Sequence, residues 1–182
     1  MSCEGCPSQG KCGKSSETCG IQSNPDNHIK NIITVMSGKG GVGKSTVTVM
    51  LAKAMAKKGL KVGIMDADIT GPSIPRLLAL SNEHAFGNEK QQLIPVESKE
   101  GIKVMSLNFL VQSESDPVIW RGPVIGGVVK QFYTDVVWGD LDVLLIDMPP
   151  GTGDVALTIM QSIPVQGVVM VSTPQPLVSM IV

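Results

Sequence analysis

Short apolar runs alternate with longer segments of helical periodicity along this chain. The runs are rich in β-branched residues and predict strands at 31–36, 60–65, 102–107 and 167–171, with a further strand that ends at Asp147. Between them, the spacing of apolar positions predicts helices at 45–58, 123–138 and 155–162. Such alternation implies an α/β fold with a doubly wound, mostly parallel sheet and helices on both faces.

The first helix and one polar stretch add detail to this pattern. Residues at helical spacing predict the buried face of the helix: Val47, Met50, Leu51, Ala54 and Met55. Gly59 predicts the end of the helix. The stretch 81–99 is polar without a clean period, so we expect a surface excursion that carries at most a short hairpin around 92–96.

A glycine-rich loop lies between the first strand and the first helix. Gly38, Gly43, Lys44 and Ser45 satisfy the pattern G-x-x-x-x-G-K-[ST]. Its glycines let backbone N–H groups converge on phosphate oxygens, and the following helix directs its free N–H groups at the same point. Lys44 would reach the β- and γ-phosphates and Ser45 would ligate Mg²⁺, so the loop predicts binding of a nucleoside triphosphate.

Two carboxylates follow the second predicted strand. Asp66 and Asp68 lie at its carboxyl end. In a doubly wound sheet that edge binds ligands, which would place both side chains beside the glycine-rich loop, near Mg²⁺ and the attacking water. An Asx turn that only ends the strand is the alternative explanation.

A third acidic residue precedes a Pro/Gly-rich loop. Asp147 ends an apolar strand and is predicted to hold Mg²⁺ through a water molecule. The backbone at Gly151 and Gly153 could approach the γ-phosphate and change shape when it leaves. Asp154 is predicted to cap the next helix, which is a structural role.

Composition and charge restrict the classes of function. The 182 residues are 42% hydrophobic and 17% charged, as expected for one compact domain, and the net charge of −1 favours neither nucleic acid nor anionic lipid as a partner. The sequence contains no apolar run of the roughly 20 residues that a membrane span needs. Its polar start is unlike a signal peptide, so we expect a cytoplasmic protein with no membrane partner.

All four cysteines lie near the amino terminus, at Cys3, Cys6, Cys12 and Cys19. Core-forming residues are scarce there, so we expect residues 1–29 to be a flexible tail and 30–182 to be the folded domain. The spacing of Cys3 and Cys6 lets both thiolates face one centre, and the other two could complete four sulfur ligands. Since disulfides are disfavoured in the cytosol, zinc, an iron-sulfur cluster and free thiols remain open.

Four motifs together resemble one family, the Mrp/Nbp-type P-loop ATPases, which are iron-sulfur cluster carriers related to the MinD and ParA group. The motifs are GKGGVGKS at 38–45, DADITGPS at 66–73, WRGP at 120–123 and DMPPGTGD at 147–154. The resemblance implies that Lys39 contacts the nucleotide of the partner subunit in a homodimer and that Asp68 orients the attacking water. It also implies Mg²⁺ ligation by Ser45 directly and by Asp147 through water, with support from Asp66.

The expected function is therefore that of an ATP-binding, slowly hydrolysing carrier that delivers [4Fe-4S] clusters, held by the cysteine tail, to apo-proteins. A MinD- or ParA-type positioning ATPase and a zinc-binding adaptor are the alternatives. The family's Cys-Pro-x-Cys pair is absent from the sequence, so we expect a shortened family member. The expected nucleotide-binding residues are Gly38, Lys39, Gly40, Gly41, Val42, Gly43, Lys44, Ser45, Thr46 and Gly151, and the expected catalytic residues are Lys39, Lys44 and Asp68.

Overall fold

The computed structural model describes residues 24–68, 71, 73–88, 92–110, 122–151 and 153–174, with the backbone alone at 122–126, 154, 155 and 158. The four cysteines lie outside the described residues, so the structure gives no information on their predicted cluster site. None of the helices in the described part of the chain is long and apolar enough to cross a membrane.

A six-stranded sheet forms the centre of the domain. Its strands are β1 (His28–Met36), β2 (Val62–Asp66), β5 (Val96–Glu97), β6 (Lys103–Met105), β7 (Asp140–Asp147) and β8 (Gly167–Met170). They lie in the order β5-β6-β2-β7-β1-β8, and all neighbours are parallel except β5 and β6. Two short antiparallel strands, β3 (Phe86–Gly87) and β4 (Leu93–Ile94), form a separate ribbon.

Helices cover both faces of the sheet. They are α1 (Lys44–Lys57), α2 (Ile74–Leu77), α3 (Gly122–Thr134) and α4 (Asp154–Ser162). Side chains of β7 alternate between two cores: Val143 and Leu145 belong to the core that includes α1 and α2, whereas Leu144 and Ile146 belong to the core that includes α3 and α4. The predicted doubly wound α/β fold is confirmed.

Helix α1 ends as the sequence predicts, but its buried face is different. Gly59 has a φ of +84°, and its N–H and that of Leu60 bond the carbonyls of Ala56 and Met55, which is a Schellman cap. The predicted apolar stripe is wrong at Met50, which is 65% exposed, and at Ala54, which is also exposed, whereas Leu51 and Met55 pack against the core. The buried residues of α1 are Lys44, Thr48, Val49 and Ala52.

Two other predicted boundaries are corrected by long-range pairing. Helix α3 ends at Thr134, four residues before the predicted 138, because Val136 pairs with Leu93 of β4. The strands expected to form one hairpin around 92–96 pair with other strands instead: β4 pairs with β3, and β5 pairs with β6.

Helix α4 begins one residue earlier than predicted. Asp154 is its first residue and Gly153 occupies the cap position, so the predicted capping role of Asp154 is wrong.

The residues before β1 pack against the domain. The Asn27 side-chain nitrogen Nδ2 donates to the Val136 carbonyl at 2.9 Å, and the Gly139 N–H donates to Asn27 Oδ1 at 2.9 Å. Residues 24–29, assigned from sequence to the flexible tail, therefore belong to the folded domain.

Candidate nucleotide-binding site

The glycine-rich loop joins the carboxyl end of β1 to the start of α1. Gly43 occupies the N-cap position with a φ of +87°, a conformation that a side chain would disfavour. No side chain caps the helix, so the N–H groups of its first turn remain available to an anion. The loop thus has the local structure of a phosphate site.

A cavity of about 240 Å³ opens beside this loop. The predicted residues that line it are Gly40, Gly41, Gly43, Lys44, Ser45, Thr46 and Asp68. Ser37, Gly71, Ser73 and Pro150 complete the lining. The structure therefore brings the phosphate loop, Asp68 after β2 and the Pro/Gly loop after β7 to one place.

Four of the predicted nucleotide-binding residues do not line this cavity, and neither do Asp66 and Asp147, which were predicted as magnesium ligands. Among the described residues, Gly38, Val42 and Gly151 lie outside its lining, as does Lys39, whose side chain is exposed. Its action on a partner subunit's nucleotide stays a prediction.

The Asp147 carboxylate occupies the centre of the site. Lys44 Nζ lies 2.7 Å from Asp147 Oδ2, and Ser45 Oγ donates to the same oxygen at 2.6 Å. Asp147 is fully buried and Lys44 is only 6% exposed, so this ion pair is shielded from water.

Thr48 is a member of this cluster that the sequence analysis missed. Its hydroxyl donates to Asp147 Oδ1 at 2.7 Å, and the residue is fully buried. The signal was present in the sequence, since Thr48 follows Lys44 by four residues and Ser45 by three, which places all three on neighbouring positions of one helix face.

Asp66 and Asp68 form a second part of the cluster. Asp68 Oδ2 lies 3.5 Å from Lys44 Nζ. The Asp68 N–H donates to Asp66 Oδ1 at 3.2 Å, which is the geometry of an Asx turn. The Asx turn considered as an alternative from the sequence is therefore present, and Asp68 also lies at the site. Ser106, also missed, donates to Asp66 Oδ2 at 3.2 Å. It follows β6 directly at the same sheet edge, and that placement could have identified it.

The loop after β7 lies against the start of the phosphate loop. The Met148 N–H donates to the Val35 carbonyl at 3.0 Å, and the Gly151 N–H donates to the Ser37 carbonyl at 2.8 Å. These two bonds connect the segment that begins at Asp147 to the backbone that leads into the nucleotide-binding loop.

The donor set fits a magnesium ion. Ser45 Oγ, at the cavity, and Asp147 Oδ2, 2.6 Å behind it, are hard oxygen atoms of the kind that Mg²⁺ prefers. Mg²⁺ is commonly held by one or two protein oxygens together with substrate phosphates and water, so these two oxygens suffice for it. In the described part of the chain, no group of three or more His, Cys, Asp or Glu side chains forms a metal site.

Asp66 differs electrostatically from a surface carboxyl. Burial, followed by the charge of the neighbouring Asp147 carboxylate, raises the pKa of Asp66 from its ordinary 3.8 to about 8. The raised pKa favours the neutral form of Asp66 at pH 7, and Asp66 Oδ1 accepts the Asp68 N–H of the Asx turn.

The raised pKa of Asp66 predicts that stability falls with pH. The folded protein holds a proton on Asp66 that the unfolded chain releases. The free energy of unfolding that this proton contributes is complete below pH 4 and is lost as pH rises toward 8, by up to about 1.4 kcal/mol per pH unit. Asp66→Asn, which mimics the neutral acid, should flatten the decline. Urea unfolding of both proteins at pH 5, 6, 7 and 8 measures it, and parallel stability profiles would contradict the prediction.

Comparison with known proteins agrees with this geometry. Residues 28–182 match the model of a ParA group family described as NUBPL iron-transfer P-loop NTPase. The chain is 50% identical over 194 aligned residues to an iron-sulfur cluster carrier protein of Clostridium perfringens, an alignment that covers 100% of this chain and 68% of that protein.

Solved structures show the same fold. A nucleotide-binding protein of Archaeoglobus fulgidus, solved in complex with ADP, matches with a TM-score of 0.71 and 48% identity over 84% of this chain and 59% of that one. MinD of the Aquifex aeolicus MinC:MinD complex matches with a TM-score of 0.57 at 24% identity over 83% of this chain and 59% of that one, which shows the fold alone.

The chain thus spans about two thirds of the length of these proteins. Its family assignment rests on the match over 28–182 and on the relative at 50% identity, and it agrees with the phosphate loop and the buried Lys44–Asp147 pair. This chain belongs to the ParA group of P-loop NTPases, in the NUBPL iron-transfer family.

Proposed function

We propose that this chain is the ATP-hydrolysing part of a cytoplasmic, homodimeric carrier that delivers [4Fe-4S] clusters to apo-proteins. The observation that carries the nucleotide half of the proposal is the convergence of Lys44, Ser45 and Asp68 on one cavity, with the buried Asp147 bonded to Lys44 and Ser45. The carrier half is supported by the names of relatives, including an iron-sulfur cluster transfer protein NUBPL of Dictyostelium discoideum that is 52% identical over 148 residues.

In the proposed reaction, each residue has a defined task. Lys44 exchanges Asp147 for the β- and γ-phosphate oxygens, and the N–H groups of the loop bind the remaining phosphate oxygens. Ser45 would hold Mg²⁺ directly and Asp147 would hold it through water, and the bound ion would neutralise charge that develops on the phosphates.

Asp68 is proposed to orient the attacking water. Its carboxylate lines the cavity and lies 3.5 Å from Lys44 Nζ, which supports its role as the acceptor for a proton of the attacking water. The water oxygen bonds to the γ-phosphorus as the bond to the bridging oxygen of ADP breaks, and the proton passes to the released phosphate. Asp66, as a neutral acid, holds the Asp68 backbone.

Lys39 is proposed to act on a second subunit, and the cysteine tail is proposed to hold the cargo. Exposed Lys39 would contribute positive charge to the partner subunit's nucleotide. Cys3, Cys6, Cys12 and Cys19 would hold the cluster through their thiolates, as substrate for transfer.

Two substitutions should separate nucleotide binding from hydrolysis. Lys44→Ala removes the charge that meets the phosphates and should weaken ATP binding about 100-fold or more. Asp68→Ala should keep ATP affinity within about threefold and lower turnover by about 100-fold or more, because it removes only the group that acts on water. Calorimetric titration and phosphate release measure the two effects.

Lys53→Ala is the matched control for Lys44→Ala. Lys53 lies on the same helix but pairs with Glu100 on the surface at 2.8 Å, so its loss should leave both quantities unchanged. Circular dichroism establishes that each variant is folded. Undiminished hydrolysis by Asp68→Ala would remove Asp68 from its assigned role.

The cluster part of the proposal is tested by anaerobic reconstitution with iron and sulfide. The chain should show a [4Fe-4S] signal in Mössbauer spectra, and replacement of Cys3, Cys6, Cys12 and Cys19 by serine should abolish it while ATP binding persists. Stoichiometric zinc, or no bound metal, would contradict the cluster assignment and leave an ATPase domain without a demonstrated cargo.

A further inference from the structure

The two oxygens of the Asp147 carboxylate have different kinds of partner. Oδ2 meets Lys44 Nζ at 2.7 Å and Ser45 Oγ at 2.6 Å, and both residues line the nucleotide cavity. Oδ1 instead accepts from the Thr48 hydroxyl at 2.7 Å. Thr48 is fully buried and lies outside the cavity lining, one helical turn further along α1.

The position of Thr48 makes its bond independent of the nucleotide. Any phosphate or metal that enters the cavity competes for Lys44 and Ser45, because those side chains face it. The Thr48 hydroxyl is behind them in the helix–sheet interface, beside Asp147 and out of contact with solvent. A ligand can therefore change the partners of Oδ2 without reaching Oδ1.

The Thr48 hydroxyl also has a local alternative. The Lys44 carbonyl lies 3.1 Å from Thr48 Oγ1, which is the back-bond that threonine commonly makes within a helix. A hydroxyl has one proton to donate, and the shorter contact is to a charged oxygen, which makes the stronger hydrogen bond.

We infer that Thr48 is a positioning residue for the magnesium site. It fixes Oδ1 of Asp147, so that only Oδ2 exchanges partners when the nucleotide takes Lys44 and the metal takes Ser45. This inference rests on the proposed function. A terminal carboxylate torsion is broad, so without Thr48 the Asp147 side chain can rotate and Oδ2 loses its fixed direction.

Loss of the Thr48 hydroxyl should lower the increase in ADP affinity that Mg²⁺ causes and leave the ADP affinity without Mg²⁺ nearly unchanged. Residues that orient a metal ligand contribute about 10-fold to 100-fold in metal affinity. Thr48→Val keeps the shape of the side chain and removes its hydroxyl, whereas Thr48→Ser keeps the hydroxyl. Thr48→Ala is a second hydroxyl-free variant that carries no additional methyl group beside the carboxylate.

The experiment is a calorimetric titration with ADP, in excess EDTA and again in saturating Mg²⁺, on the wild-type chain and the three variants. The increase in ADP affinity on adding Mg²⁺ should be the same in wild type and Thr48→Ser. It should fall about 10-fold or more in Thr48→Val and Thr48→Ala, whose affinity in EDTA should stay within about threefold of wild type.

Thr34→Val is the matched control. Thr34 is a buried threonine of β1 whose hydroxyl donates to the Gly167 carbonyl of β8 at 3.5 Å and not to a carboxylate. It should leave the Mg²⁺-dependent increase unchanged, which separates the role of Thr48 from the general loss of a buried hydroxyl.

The outcomes distinguish this inference from the proposal on which it rests. A wild-type chain that binds no ADP, or that binds it equally with and without Mg²⁺, would overturn the proposed function. A wild-type increase that Thr48→Val and Thr48→Ala retain in full would overturn the role of Thr48 alone. A loss in Thr48→Ser as large as in Thr48→Val would also overturn it, because the hydroxyl would then not be the group that matters.

Discussion

The buried Asp147 carboxylate is the constraint on which this site depends. A carboxylate removed from water is costly unless charge and hydrogen bonds compensate it, and Asp147 has no exposed surface. Its compensation comes entirely from one short stretch of α1 among the described contacts: Lys44, Ser45 and Thr48. These contacts join the end of β7 to the start of α1. They thereby constrain the backbone path of the glycine-rich loop, which leads into α1.

The same interaction keeps the functional groups together before any ligand arrives. Without Asp147, the buried Lys44 cation would be left with the longer contact to Asp68 at 3.5 Å, and Asp147 holds it at the cavity where phosphate can replace the carboxylate. The raised pKa of Asp66 favours its uncharged form, which limits the negative charge around Lys44. The arrangement combines a cation for phosphate with hard oxygen ligands for a metal, within one cluster that is already satisfied by hydrogen bonds.

Much of the fold and of the candidate site could be predicted from the sequence because the motifs specify local backbone conformation. The loop residues, Asp68 and Asp147 follow from their positions at strand ends, and the alternation of strands and helices gives the fold. Thr48 was missed because the helix face was chosen by apolar spacing, whereas the buried face includes Lys44 and Thr48, whose burial is satisfied by a carboxylate on another strand. The end of α3 was misplaced for a similar reason, since the pairing of Val136 with Leu93 has no local signal.

The most direct test is a crystal structure of this chain with ADP and Mg²⁺. We expect Lys44 Nζ to leave Asp147 Oδ2 for a phosphate oxygen, while Thr48 Oγ1 stays within hydrogen-bond distance of Asp147 Oδ1. A nucleotide bound away from the glycine-rich loop, with Lys44 still paired to Asp147, would contradict this expectation.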